Sequence, residues 1–426
     1  VTRRVCIVTP GQLGSSPRVV KEAQALREAG YDVHVIATRM LDRIEARDRD
    51  VLAAASWRAE RIDARSRARW RWRRARQTMA RVLFRSSGRE TLAGAALSPL
   101  SGDLSARAAR VPADLYIAHY VAALPAVARA ARRHGARYAF DAEDFHPGDL
   151  PDLPEHEFEK RLIRAVEGRY LPRCAYMTAA SPGIAEAYTE AYGVPRPAVV
   201  LNVFPLAHAP APAAPRGTAA PGPSLYWFSQ TIGPDRGLEC AARAIGLARA
   251  RPHLYLRGTL ASGFAGRLQE LAGRAGAADR LHILPPEAPS KMERLAACYD
   301  LGLAGETGHT PNRRIALTNK QFTYLLAGVP AVMSDIPAHR AIASEAGLAM
   351  RLYRTDDPAA LADALDALLL DPATLAKARA AAWRLGRERY NWDLEKSKLL
   401  AAVGAAIGCP STRAAQCPVP GEEAVP

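Results

Sequence analysis

Apolar residues in this chain come in short runs separated by stretches of helical periodicity. Val5-Cys6-Ile7-Val8 is the first run, followed by the turn Pro10-Gly11-Gln12-Leu13-Gly14. Ser16-Pro17 then starts a helix, with Ser as N-cap and Pro at the first helical position. Val19, Ala23 and Leu26 share one face, and Gly30 closes the helix. Val33-His34-Val35-Ile36 is the next strand. Two apolar strands joined by such a helix predict a right-handed βαβ unit in a parallel sheet.

The alternation returns at Asp114–Ala118, Tyr138–Phe140, Tyr176–Thr178 and Val199–Leu201. Pro205 to Ser224 is rich in Pro and Ala and reads as a linker or long exposed loop. Strand-like runs then restart at Leu225–Phe228, Leu254–Leu256, Leu281–Ile283, Leu301–Leu303 and Ala331–Met333, with helical patterns between them. Asp356 to Tyr390 is helical throughout. This pattern predicts an α/β chain of two doubly wound, Rossmann-like domains facing each other across a cleft. Their expected extents are 1–204 and 224–384, joined by a linker at 205–223. A C-terminal helix over 385–408 would pack back on the first domain, and 409–426 would be a disordered tail.

Composition narrows the class. An apolar fraction of 49% excludes wholesale disorder and fibrous repeats. No run approaches the roughly 18 apolar residues needed to span a bilayer. Val1 to Ile7 runs straight into a strand, which leaves no room for a signal peptide. Cys6, Cys174, Cys240, Cys298, Cys409 and Cys417 form no close pair, a pattern of reduced thiols in a cytoplasmic protein. The absence of a Gly-rich loop ending in Lys-Ser/Thr excludes a P-loop ATPase.

The charge is uneven. The chain carries a net +15, and residues 57–89 hold twelve arginines against Glu60 and Asp63, a local +10. Three of the six tryptophans lie there too. Trp72, Ala75, Met79, Val82 and Leu83 fall at helical spacing among these arginines. One reading is a helix packing that apolar stripe on the first domain. The other is a helix lying on an anionic membrane surface, peripheral to the inner face. A near-neutral remainder speaks against nucleic acid.

In open parallel sheets, ligands bind beyond the carboxyl ends of the strands. Three helix starts predicted there carry a cation in the first turn: Arg18 after Ser16-Pro17, Arg236 after Pro234-Asp235, and Lys320 after Thr318-Asn319. The helix dipole disfavours cations at that end, and a bound phosphate resolves the conflict.

Taken in order, these segments resemble family 4 glycosyltransferases of the GT-B fold. The likeness runs from Pro10-Gly11 through Ser-Pro-Arg-Val-Val-Lys-Glu-Ala to Ile36, then His119–Pro125, Asp141-Ala142-Glu143-Asp144, Ser181–Ala185 and Leu201-Asn202-Val203. It continues at Thr231–Glu239 and ends at Asn319–Pro330. The resemblance implies transfer of a sugar from a nucleotide-diphosphate donor to a hydroxyl of a glycan, lipid-linked or small-molecule acceptor, usually with retention. It implies no metal and no other cofactor, because cations and helix N-termini neutralise the leaving diphosphate. The donor would sit on the second domain and the acceptor on the first. Arg236 occupies the place of a phosphate-binding lysine, and Asn319 and Lys320 start the helix that cradles the diphosphate. His119 matches a histidine that contacts the donor sugar. Gly11 and Gly14 lie in a loop approaching the donor, with Ser15 and Arg18 on its phosphate or acceptor side.

The departures from the family are specific. A phosphate-binding arginine falls on Gln230, with Lys291 or Arg257 as substitutes. Of a glutamate pair, the later member falls on Thr323 and the earlier has no match; Glu306 is the substitute for binding sugar or ribose hydroxyls. The family's Asp-x-His-Glu is here Asp141-Ala142-Glu143-Asp144, and Glu143 or Asp144 would orient the acceptor or act as base. His146 and His309 are further imidazoles near these motifs. Asp48-Arg49-Asp50, formally a metal-binding pattern, reads as a solvated charged face. Two other functions share the fold: a catalytically silent nucleotide- or glycan-binding protein, and a nucleotide-sugar epimerase.

Overall fold

The computed structural model describes residues 2–211 and 222–408. Much of the expected linker and the whole of the expected tail, with Cys409 and Cys417, lie outside the described residues. The chain divides into two compact units: one runs to Val200 and resumes at Lys396, the other spans Leu201–Glu395. Residues 201–204 therefore fall with the second unit. The expected helix over 385–408 is interrupted, since one helix ends at Glu388 and the next is Trp392–Gly408.

The first unit holds a seven-stranded parallel sheet in the order β3-β2-β1-β4-β5-β6-β7. Its strands are β1 (Arg4–Val8), β2 (Asp32–Arg39), β3 (Arg58–Asp63), β4 (Leu115–His119), β5 (Arg137–Ala142), β6 (Met177–Ala179) and β7 (Ala198–Val199). Central strands covered on both faces read as unbroken apolar runs. Val5, Cys6, Ile7 and Val8 are accordingly all buried, as is every residue of β4. β3 has no such run. It is an edge strand of alternating charge, Arg-Ala-Glu-Arg-Ile-Asp, and the apolar pattern alone passes over it. Helix α1 (Pro17–Glu28) buries Val19, Ala23 and Leu26 as expected, and Gly30 at φ 91° takes the left-handed turn that ends it. The same helix also buries Arg18 and Glu22.

The second unit holds a six-stranded sheet in the order β10-β9-β8-β11-β12-β13. Its strands are β8 (Ser224–Ile232), β9 (His253–Leu260), β10 (Leu281–Leu284), β11 (Leu301–Ala304), β12 (Ala331–Ser334) and β13 (Met350–Tyr353). All recorded pairings are parallel. One face packs Leu225, Trp227, Leu254, Leu256 and Leu303 into a fully buried core. The helical stretch expected over Asp356–Tyr390 is two helices, Pro358–Leu369 and Pro372–Glu388, each capped by an aspartate.

One contact sets the position of helix Asn319–Ala327. A Cβ at Gly302 would lie 2.4 Å from the Tyr324 ring, so only glycine admits that ring against β11. The Tyr324 hydroxyl then donates to the carbonyls of Tyr226 (2.9 Å) and Leu303 (3.1 Å). The helix start, with Lys320, is thereby held beside the carboxyl end of β11. No helix among the described residues is long and apolar enough to cross a membrane.

Candidate functional site

In the first sheet, strand register places three polar side chains in a row at the carboxyl ends. His119 of β4 pairs with Asp141 of β5, which pairs with Thr178 of β6. Helix α1 lays Arg18 and Glu22, one turn apart, against this row. The Arg18 guanidinium donates to both Asp141 oxygens (Nε 2.6 Å, Nη2 2.7 Å) and to the Val200 carbonyl (2.8 Å). Thr178 donates its hydroxyl to Asp141. His119 Nε2 lies 2.5 Å from Glu22 Oε2, and its Nδ1 lies 3.2 Å from Asp141 Oδ2. Two basic and two acidic side chains thus alternate in a nearly sealed cluster.

Electrostatics follow that alternation. Burial alone would push the Asp141 carboxyl up, but Arg18 overrides it and holds the pKa down at about 2. Burial disfavours charge on His119, yet the carboxylates of Glu22 and Asp141 outweigh burial and raise its pKa. Tyr120, directly after His119, stands at φ 65°, a left-handed conformation uncommon for a residue with a side chain.

Two expectations are corrected here. Arg18 does not face an incoming anion, because its guanidinium is engaged by Asp141. His119 is enclosed at 1% exposure between two carboxylates and does not present its ring nitrogens to a donor sugar. Glu22 carries no role in the sequence reading. Its signal was a charge one turn from Arg18 on the face that buries Ala23 and Leu26.

The N-terminal loop is fixed by a residue read as solvated. Asp48, on helix α2 (Glu45–Ala54), is fully buried, while Arg49 and Asp50 are exposed as expected. Its carboxylate accepts from the Gly14 N–H (2.6 Å), Gln12 Nε2 (3.0 Å) and Arg61 Nη1 (3.1 Å). A Cβ at Gly14 would lie 2.7 Å from the Arg47 side chain, and one at Gly11 2.6 Å from Ser16 Oγ. Both glycines permit close packing of the loop, and Ser15 donates to the Gln12 carbonyl (2.9 Å). Asp48→Ala orphans these three donors, and we expect a loss of about 3 kcal/mol in chemical denaturation. A solvated aspartate would lose under about 0.5 kcal/mol.

Beyond β5, Glu143 and Asp144 are half-buried. Burial raises the Glu143 pKa, and Asp144 and Asp141 add to the rise while Arg18 opposes it. His146 is turned inward, its Nδ1 2.8 Å from the Tyr188 hydroxyl and 3.4 Å from Glu167, so it supplies no imidazole outside.

In the second unit, three segments meet at the carboxyl ends of β8 and β11. Asp235 (φ 61°) and Gly237 (φ 70°) bend the loop after β8, and Gly237 lies so close to Gly305 that an added Cβ would meet its carbonyl oxygen at 2.1 Å. Thr307 also donates to the Asp235 carbonyl (3.3 Å). Arg236 therefore sits beside the loop that carries Glu306, although the helix itself starts one residue beyond the glycine, at Leu238. Lys320, in the first turn of helix Asn319–Ala327, reaches Glu306 Oε1 at 2.5 Å. Burial would raise the Glu306 pKa, but Lys320 and then His339 bring it down to about 2. Far from being a solvated loop carboxylate, Glu306 is buried, and its Oε2 has no hydrogen-bond partner among the described residues.

Arg236 is half-buried, donates to Ser229 Oγ (3.3 Å) and has no ion pair among the described residues. Burial, and then the like charge of Arg313, lower its pKa. Arg313 was not singled out in the sequence; it lies between two apolar segments with no motif to mark it. The proposed substitutes for the cation missing at Gln230 are otherwise engaged: Lys291 pairs with Glu287 (3.0 Å), and Arg257 donates to the Tyr226 hydroxyl and the Pro285 carbonyl. Gln230 is exposed at the end of β8, and His309 is exposed and contacts Thr307. Thr323 is completely buried against Glu293 (3.4 Å), so it does not stand where a ligand-binding glutamate would.

Comparison with known proteins bears on the fold. Residues 14–207 match the family model described as a glycosyl transferase 4-like domain. No curated protein sequence matches the chain. Among solved structures, Anabaena HepE in complex with UDP and glucose superposes with a TM-score of 0.68 at 15% identity, covering 95% of this chain and 100% of that one. Sucrose-phosphate synthase from Thermosynechococcus elongatus gives 0.70 at 14% identity, covering 95% and 100%. A glycosyltransferase from Rickettsia africae gives 0.66 at 12% identity, covering 95% and 99%. Residues 14–207 thus resemble a glycosyl transferase 4-like domain, within a chain built on the GT-B fold.

Proposed function

We propose that the chain is a retaining glycosyltransferase that moves a sugar from a nucleotide-diphosphate donor to a hydroxyl of a glycan, lipid-linked or small-molecule acceptor. The observation that carries this reading is the cluster in the second unit: Lys320 paired with Glu306, Arg236 near the same carboxylate, and Arg313 near Arg236. In the reaction the bond from the anomeric carbon to the diphosphate oxygen breaks. The acceptor oxygen bonds to the same face of that carbon, and its proton leaves. Negative charge grows on the departing diphosphate, and fixed cations beside a helix N-terminus stabilise it without reorganising.

Arg236 and Arg313, without an ion pair among the described residues, supply positive charge, and Lys320, held by Glu306, supplies a further donor. The first N–H groups of the helix at Asn319 add to them. Glu306 Oε2, buried, 3.7 Å from His339 Nε2 and without a hydrogen bond among the described residues, accepts a hydroxyl of the sugar or ribose. On the acceptor side, burial gives Glu143 the raised proton affinity that suits a base, with Asp144 beside it. His119 acts by holding the strand ends in place. The fold of HepE, solved with UDP and glucose, accommodates a donor of this class. We place the reaction in the cytoplasm, consistent with free thiols at Cys6, Cys174, Cys240 and Cys298.

Incubation with a panel of nucleotide-sugars and acceptors tests the proposal. Nucleoside diphosphate should be released only when an acceptor is present, and NMR of the product should show the donor's anomeric configuration. Because side chains neutralise the leaving group, EDTA should leave the rate unchanged. Product formed without acceptor would favour an epimerase, and absence of turnover with nucleotide binding retained would favour a silent binding protein.

A further inference from the structure

Helix α3 (Arg67–Ser87) packs with the opposite face to the one its apolar stripe suggests. Its buried residues are Arg73, Gln77, Ala80 and Phe84. Arg73 donates to Asp103 (3.0 Å) and to the Asp63 carbonyl (3.2 Å), and Gln77 donates to the carbonyls of Ala96 (3.2 Å) and Leu97 (3.1 Å). The stripe instead points outward: Trp72 is 65% exposed, Met79 65%, Val82 62% and Leu83 46%. The reading in which these residues pack on the first unit is therefore wrong. What remains is a patch of large apolar side chains at helical spacing that the described residues leave uncovered.

Arginines border the patch. Arg71 and Arg76 are exposed beside it, and Arg74, Arg81 and Arg85 line an adjoining cavity of about 400 Å³. Arg81 is paired with Glu159, and the guanidinium carbons of Arg81 and Arg85 lie 4.7 and 4.4 Å from the Phe158 ring centroid. Stacking on that ring orients both arginines toward the cavity.

We propose that α3 docks this unit on an anionic phospholipid bilayer. Trp72, Met79, Val82 and Leu83 enter the interface, while Arg74 and Arg85 take lipid phosphates. Both halves of the surface are then used. A nucleic-acid backbone would satisfy the arginines and leave the apolar patch against water, whereas a headgroup layer over acyl chains complements both. Each basic side chain at such a surface multiplies partitioning about five-fold, and the tryptophan adds an interfacial anchor. The inference is independent of the transfer reaction, since none of these residues belongs to the proposed donor or acceptor sites.

Co-flotation of the full chain with vesicles tests it. Binding is expected to vesicles of phosphatidylcholine with phosphatidylglycerol and not to phosphatidylcholine alone, weakening as salt rises. Trp72→Ser/Leu83→Ser, at exposed positions, should retain the fold and lower binding about ten-fold or more. Arg74→Gln/Arg85→Gln should remove the preference for phosphatidylglycerol. Brominated lipid should quench a fluorescence component that Trp72→Phe lacks. No flotation at low salt overturns the proposal, as does flotation unaffected by either double variant. Self-association that Trp72→Ser/Leu83→Ser abolishes, without lipid binding, would also overturn it by making the patch a contact between copies.

Discussion

Replacing Arg18 with methionine will destabilise the chain by about 3–5 kcal/mol, because Asp141 then loses its bidentate cationic partner in a sealed site. Thr178 and His119, which stay beside Asp141, do not replace the bidentate guanidinium. Denaturant unfolding followed by circular dichroism reads the loss as a lower midpoint. Arg18→Met/Asp141→Leu should recover much of it, since removing both partners leaves no buried charge unbalanced. Acid supplies the same test without mutation. Asp141 has a folded pKa of about 2, below its ordinary value of 3.8, so its contribution is complete above 3.8 and is lost as pH falls toward 2. A cost below about 1 kcal/mol for Arg18→Met would show that the pair contributes no more than a surface bridge.

The second large effect is expected on catalysis with little change in stability. Arg236→Ala removes a half-buried cation that has no ion pair among the described residues, so no carboxylate is stranded. If it stabilises the leaving diphosphate, kcat/KM falls about 10²–10³-fold, as for other preorganised transition-state contacts. The unfolding midpoint should move little, because mutual repulsion with Arg313 is relieved at the same time. Lys320→Ala behaves differently: it strands buried Glu306, so activity and stability fall together. A variant at Arg236 with unchanged kcat/KM would remove that residue from the mechanism.

Much of the fold was legible because the central strands of a doubly wound sheet are covered on both faces and must be apolar along their length. The exceptions follow the same physics. β3 is an edge strand of the first sheet, so it needs no apolar run, and β13, with Arg351 among its four residues, is an edge strand of the second. The site was legible in part. Cations at helix starts were visible as types and positions, but a sequence does not say whether a cation already has a partner. Arg18 meets Asp141 across a large separation in the chain, whereas Arg236 meets another arginine. The two helix starts look alike as sequence and differ in chemistry for that reason. Asp48 misled similarly: its neighbours Arg49 and Asp50 are solvated, and only the folded loop around Gln12 and Gly14 shows why one charge of the three is buried.

Amphipathic periodicity has the same ambiguity on α3. Spacing identifies the stripe through Trp72, Met79 and Leu83 but not the direction it faces. Direction was decided by the polar contacts of Arg73 and Gln77, which tie the opposite face to the unit. A buried arginine and glutamine are uncommon enough that apolar content alone predicts the reverse orientation.

The central claim is that positive groups of the second unit converge to hold a departing diphosphate. Calorimetric titration of nucleoside diphosphates and the matching monophosphates into the native protein and Arg236→Ala tests it most directly. The native protein should bind one diphosphate about ten-fold or more tighter than its monophosphate, and Arg236→Ala should erase most of that difference. Equal affinities for the two nucleotides, or a preference that survives the substitution, would contradict it.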